Sequence, residues 1–263
     1  MAATVRTIPK SEYYSGQGQL IIAERNPLTG RPFNAYPVGN APALEITVQT
    51  TQVDHKESMS GQRATDFALL TEKSASMNIT IESLIPKNLA MSFYGKMTDV
   101  AAGSVTSEEL ANETSANGGM MILAHNQVSD VVLTTTGGTP TPVPTDAYIV
   151  DPEFGTIQWD PTFEPAITGN VTAAYSFEAS ERLDALTSVQ PPERYVRFHG
   201  INTIDDSLVL VEIPRAQFQP LQSFQLITEE VAQVQMTATL LPDSFLNDGG
   251  SRYYRQTKIT PAV

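Results

Sequence analysis

Polar and apolar residues alternate strictly in three stretches of the chain. In "LEITVQT" (44–50), Leu44, Ile46 and Val48 fall on one side, and Glu45, Thr47 and Gln49 on the other. "MNITIESL" (77–84) sets Met77, Ile79 and Ile81 against Asn78, Thr80 and Glu82. "VQMTATL" (234–240) sets Val234, Met236, Ala238 and Leu240 against Gln235, Thr237 and Thr239. A period of two residues belongs to half-buried antiparallel strands with one wet face. "SLVLVEI" (207–213) is more continuously apolar and reads as a strand covered on both faces. Shorter strands are predicted at 18–24, 130–135, 147–150, 156–159 and 170–177. Clusters such as "NPLTG", "TTGGTPTPVP", "DPEFG" and "ITGN" punctuate the gaps as turns.

Helical patterning is scarce. "IPKNLAMSFYG" (85–95) has Pro86 in a first turn and Gly95 at a C′ position, with Ile85, Leu89 and Phe93 on one face. It predicts a helix of two to three turns packed on a sheet. "TSEELANE" carries Thr106 and Glu109 at capping-box spacing and predicts at most a short exposed helix. The expected fold is mostly β: an antiparallel β-sandwich or barrel with one flanking α-helix, in a single domain over 1–263. Two irregular stretches are expected within it. One is a long inter-strand loop at about 53–76, the other a Thr/Gly/Pro-rich acidic segment at about 101–146 that is a flexible insertion or an internal boundary.

Composition narrows the function. The chain has 263 residues, 41% of them apolar, enough for a sizeable core. No run approaches the ~20 apolar residues that span a bilayer, so membrane insertion is not expected. The opening "MAATVRTIPKSEYYSG" lacks the apolar core of a secretory leader, and none is expected. Cysteine is absent, which excludes disulfides and a thiol nucleophile. The net charge of −13 is uneven: residues 101–190 hold twelve acids and one cation, Arg182. A tight DNA binder has the opposite balance, because Lys and Arg on phosphate supply most of that affinity.

Candidate chemistry is thin. His55, His125 and His199 are too far apart in sequence for a local metal pair. Ser58 and Ser60 near His55 lack the G-x-S-x-G elbow of a hydrolase. "SGQGQ" (15–19) lacks the third glycine and the βαβ context of a dinucleotide site. Asp205-Asp206 and Glu229-Glu230 are candidate acid pairs for glycoside hydrolysis, or solvent-facing acids at strand ends. "RYVRFHG" (194–200) mixes aromatics with cations, as single-stranded nucleic acid sites do. The favoured reading puts Val196 and Phe198 in the core, with Arg194 and Arg197 pairing with acids at a subunit boundary. No catalytic residue, cofactor or metal is expected.

The order of several segments resembles the major tail tube proteins of long-tailed bacteriophages. They are "YYSGQGQL" (13–20), "PVGNAPALEITVQT" (37–50), "HKESMSGQR" (55–63), "NITIESLIPKNLAMSFYG" (78–95), "AYIVDPEFGTIQW" (147–159), "GNVTAAYSF" (169–177), "VRFHGIN" (196–202) and "LVLVEIPRAQFQPLQSFQLITEE" (208–230). The resemblance implies a structural virion protein made in the bacterial cytoplasm. It also implies self-assembly into stacked hexameric rings around a channel through which double-stranded DNA passes without tight binding. Its other implied partners are the tape measure, tail terminator and distal tail proteins. By matching segments, the 53–76 loop reaches the adjacent ring. The inter-ring residues so implied are His55, Lys56, Glu57, Ser58, Arg63, Asp66, Phe67, Leu69 and Leu70. A virion decoration or glycan-binding module of β-sandwich fold is the competing expectation.

Overall fold

The computed structural model describes residues 13–112, 115–187 and 191–259. The protein is mostly β, with antiparallel sheets and one α-helix, as the alternation predicts. Where one domain was expected, two compact units form: Met1–Lys96 with Leu183–Val263, and Met97–Arg182. The physical reason is that the apolar residues collect in two separate buried clusters.

The first unit begins with β1 (Gly16–Arg25), β2 (Pro32–Pro37), β3 (Ala43–Lys56), β4 (Thr65–Ile81) and α1 (Pro86–Ser92). The chain then runs through β5 (Lys96–Val100), β6 (Gly103–Leu110), β7 (Met120–Ile122), β8 (Val128–Thr135), β9 (Tyr148–Asp151), β10 (Thr156–Trp159), β11 (Val171–Phe177) and β12 (Ser180–Asp184). It returns to the first unit as β13 (Glu193–Asn202), β14 (Leu208–Phe218), β15 (Val234–Leu240) and β16 (Arg255–Ile259). β5 and β12 pair with each other and carry the two chain crossings.

One sheet of order β2-β1-β13-β14-β15-β4-β3, with β16 also on β14, makes the first unit. Its apolar side chains meet in one cluster: Leu20 and Ile22 of β1, Met77, Ile79 and Ile81 of β4, Val196, Val211 and Ile213, and the β15 set Val234 to Leu240. A single sheet supplies both walls of this core, so it must roll. Bulges between Ile22 and Glu24 and between Arg194 and Val196 help it bend. In β14 the apolar run resolves into alternation: Val209, Val211 and Ile213 are buried while Leu208 is exposed. "SGQGQ" is the start of β1, and Gly18 is there for close approach. A Cβ on it would lie 2.1 Å from the His199 carbonyl oxygen.

The polar residues of the alternating strands line up in rows. Thr237, Asn78 and Glu45 face one another across three strands, as do Thr239, Ser76 and Thr47. Thr237 donates to Asn78 Oδ1 at 3.0 Å.

The helix starts at Pro86, as predicted, and spans about two turns. Asn88 pins it by donating to the carbonyls of Val38 and Ser83. Its end differs by one residue from expectation. Tyr94 takes the left-handed C′ conformation (φ 50°), and the Gly95 and Tyr94 amides donate to the Ala90 and Met91 carbonyls. Gly95 is required for space instead: a Cβ there would sit 2.7 Å from the Asp184 carbonyl oxygen.

The second unit packs the sheet β6-β11-β8 against β7-β10-β9. Leu133, Val171 and Ala173 from one meet Met121, Ile157 and Trp159 from the other. Trp159, the single tryptophan, is buried and donates its indole N–H to Asn112 at 3.0 Å. The 101–146 segment, expected as a flexible insertion or an internal boundary, follows the passage of the chain into this unit and contributes β6, β7 and β8. "TSEELANE" contributes to β6, not a helix, because Leu110 enters the core and β11 offers a full pairing partner. Glu108, near the supposed cap, instead accepts from the Tyr175 hydroxyl and the Ala124 amide.

A charged network ties the ends of β1, β13 and β14 to the segment before β16. Arg25 forks onto Asp243 at 2.8 and 3.3 Å, and Arg215 onto Glu193 at 2.6 and 2.9 Å. Arg25 also lies 3.6 Å from Glu193 and stacks on Phe245. The Arg25 and Asp243 side chains are only 4% and 2% exposed. Removing one partner of a buried pair strands the other charge, so Asp243→Ala should cost about 3–5 kcal/mol in denaturant unfolding. The matching change at the exposed Arg255–Asp248 pair, Asp248→Ala, should leave the midpoint nearly unmoved, although that pair is shorter at 2.5 Å.

Candidate assembly interface

β3 and β4 pair continuously from Ala43↔Thr80 to Lys56↔Thr65. The expected loop at 53–76 is therefore a correction: most of it is a β-ribbon, and only residues 57–64 connect the strands. The sequence is polar there because the ribbon has left the core, not because it is irregular. From Val48 to Lys56 and from Thr65 to Lys73 every residue is exposed. Nine residues per strand at about 3.3 Å each make an arm of roughly 30 Å. Val48 breaks its own pattern: alternation places it with Leu44 and Ile46, yet it is 72% exposed, since the core ends before it.

All nine residues implied for ring contact lie on this arm. His55 and Lys56 end β3, Glu57, Ser58 and Arg63 form the tip, and Asp66, Phe67, Leu69 and Leu70 open β4. Phe67 sits opposite His55, and Leu69 opposite Val53, on one face. Leu70 pairs with Gln52 beside the bulge at Thr71. Asp66 is the extra residue of a second bulge and lies 2.7 Å from His55 Nδ1. Sequence reading missed Val53 and Met59, both well exposed. Alternation did not point to Val53, which falls on the odd-numbered, polar side of β3 with Glu45, Thr47 and Gln49. A two-stranded ribbon carrying apolar side chains into water is marginal by itself and suited to a partner.

The tip is built around one carboxylate. Glu57 accepts from the Ser60 hydroxyl and from the amides of Met59 (2.7 Å) and Ser60 (2.8 Å), while its own amide donates to the Ala64 carbonyl (2.9 Å). The Ser60 hydroxyl first, then the Ser60 and Met59 amides, hold the Glu57 carboxyl below its ordinary 4.5.

Arg194 and Arg197 are not side by side. A bulge separates them in β13. Arg194 donates to the Glu193 carbonyl at 3.1 Å. Arg197 lies 4.0 Å from Glu212, within ion-pair distance but too long for a hydrogen bond. The acid paired with Arg197 thus comes from the same chain. Glu212 is held mainly by Tyr195, which donates to it at 2.7 Å. Burial, then that bond, pushes the Tyr195 hydroxyl far above its usual value. Val196 is buried and Phe198 packs on the core, as predicted.

Three of the other candidates have partners within the chain. Asp205 accepts from the Ser207 amide and hydroxyl in the β13–β14 turn, and that hydroxyl chiefly lowers its carboxyl. The His125 ring stacks on Phe177 at 3.7 Å. Ser60, near His55, serves Glu57 instead. Among the described residues no three His, Asp or Glu side chains gather as metal ligands, and no helix is long and apolar enough to cross a membrane.

β3 also closes one end of the sheet order, and β2 the other. The outer rim of β3 thus offers unpaired backbone groups of the kind that template pairing with another strand.

A depressed carboxylate stabilises the tip above pH 4.5, and its contribution fades as pH falls through and below that value. The Met59 and Ser60 amides should therefore lose protection between pH 5 and 3 by NMR exchange, and Glu57→Gln should show the loss at neutral pH. Protection that stays constant on acidification would contradict this account.

No curated protein matches the chain. The model of the family described as "Protein of unknown function UCP028589" matches residues 13–257, nearly the whole length. The chain belongs to that family.

Proposed function

We propose that the chain is the subunit of a bacteriophage tail tube, a structural protein of the virion that assembles with copies of itself. The observation that carries this reading is the exposed β3–β4 arm, set on a rolled sheet whose end strand has an open rim. An arm on one part of a molecule that docks elsewhere on the next copy is a heterologous contact, which generates rings or filaments. The rows Thr237-Asn78-Glu45 and Thr239-Ser76-Thr47 suit a wall past which DNA slides. They carry four hydroxyls, one amide and one acid, and no cation to hold phosphate. In this reading the tape measure, terminator and distal tail proteins meet the tube at its interior and ends. The glycan-binding alternative is weakened by Trp159, which is buried and offers no sugar platform.

The arm makes the decisive test. Wild-type protein should form hexamers or tubes in negative stain as concentration rises. Phe67→Asp with Leu69→Asp should abolish stacking and leave the melting temperature within about 2 °C, since exposed sites shift stability little. Normal tubes from that variant would sink the inter-ring role of the arm. Wild-type protein that stays monomeric at all concentrations and salts would sink the tube reading itself.

A further inference from the structure

The outer face of the β7-β10-β9 sheet breaks the rule that the first unit obeys. Its register puts Met120, Gln158 and Ile149 in one row and Ile122, Thr156 and Asp151 in the next. The alternate positions Met121, Ile157, Tyr148 and Trp159 are buried. Met120, Ile122 and Ile149 therefore point outward, and are 63%, 72% and 68% exposed. Phe154, in the turn closed by the Gly155 amide on the Asp151 carbonyl, is exposed as well. In the wet rows of β15, β4 and β3 below the arm, the equivalent positions hold Thr, Asn, Ser and one Glu. Large apolar side chains grouped on one sheet face, here on its two outer strands with Gln158 and Thr156 of β10 between them, mark an interaction surface, whereas single ones do not.

Charge identifies the partner. Residues 97–182 carry twelve acids and one cation. Four of those acids border this sheet: Asp146 just before β9, Asp151 at its end, Glu153 in the turn and Asp160 just after β10. Two copies of such a face repel each other. A neutral apolar partner would leave the bordering carboxylates uncompensated.

We infer that this face docks an extended cationic segment of another protein, in which Lys or Arg alternates with apolar residues. The alternation puts the apolar side chains of that segment on Met120, Ile122 and Ile149, while its cations answer the acidic margin and speed encounter. This interaction does not depend on tube assembly.

The test uses the full-length protein and a fluorescein-labelled octapeptide of alternating lysine and leucine, read by anisotropy. Binding should weaken as salt rises. It should fall at least about tenfold in Met120→Ser/Ile149→Ser, as loss of two apolar contacts requires. The same peptide with glutamate for lysine should not bind. Trp159 emission checks the fold of the double variant. If that variant is misfolded, Ile122→Thr, which keeps strand propensity, should show the same direction of change. Equal affinity in the folded variants would reduce the binding to general charge attraction and overturn the proposal, as would no binding of the lysine peptide to wild-type protein.

Discussion

A β-strand shows alternate side chains to opposite faces, so a sheet with one apolar face must cover it with something. In the first unit no second sheet is available. The sheet covers its apolar face with itself, bringing Leu20 and Ile22 onto the same core as Met77, Ile79 and Met236. The rest of that unit follows from this roll. Bulges ease the curvature, Gly18 lets β1 approach β13, and α1 plugs the core with Met91 and Leu89. A sheet that rolls without closing keeps its rims, which leaves β2 and β3 at the ends of the strand order.

The arm is the part of this sheet that the core cannot reach. Pairing of β3 with β4 persists beyond the last buried residue, because backbone hydrogen bonds do not require a core on either side. What changes there is the meaning of an apolar residue. At Ile79 it drives folding; at Phe67 or Leu69 it lies outside the core, more than half exposed, with only a cross-strand neighbour. The charged network around Arg25 and Glu193 joins strand ends to the segment before β16 by ion pairs instead of apolar packing.

Much of the strand content was legible from alternation. "VQMTATL" is β15 residue for residue, and the stretches at 156–159 and 170–177 became β10 and β11 within a residue. The helix was legible from Pro86. The ribbon was not, because a strand exposed on both faces has no apolar period to display, and polar residues in sequence read as loop. β16 ("RQTKI") was invisible for the same reason. β6 misled because capping-box spacing is local, while the Leu110 burial and β11 pairing that decide it are not. The division into two units is a matter of which side chains meet, and alternation within a strand is silent on that. The segment resemblance grouped residues that share this arm, but as a loop where the chain forms a paired ribbon.

The position of Trp159 has a practical consequence. It is the one tryptophan of the chain, buried in the second unit with Tyr148 set edge-on at 6.2 Å. Tryptophan emission is therefore a private reporter for residues 97–182, while far-ultraviolet circular dichroism sums the strands of both units. Overlaying the two signals in one melt measures whether an inserted unit with its own core unfolds in step with its host or on its own schedule.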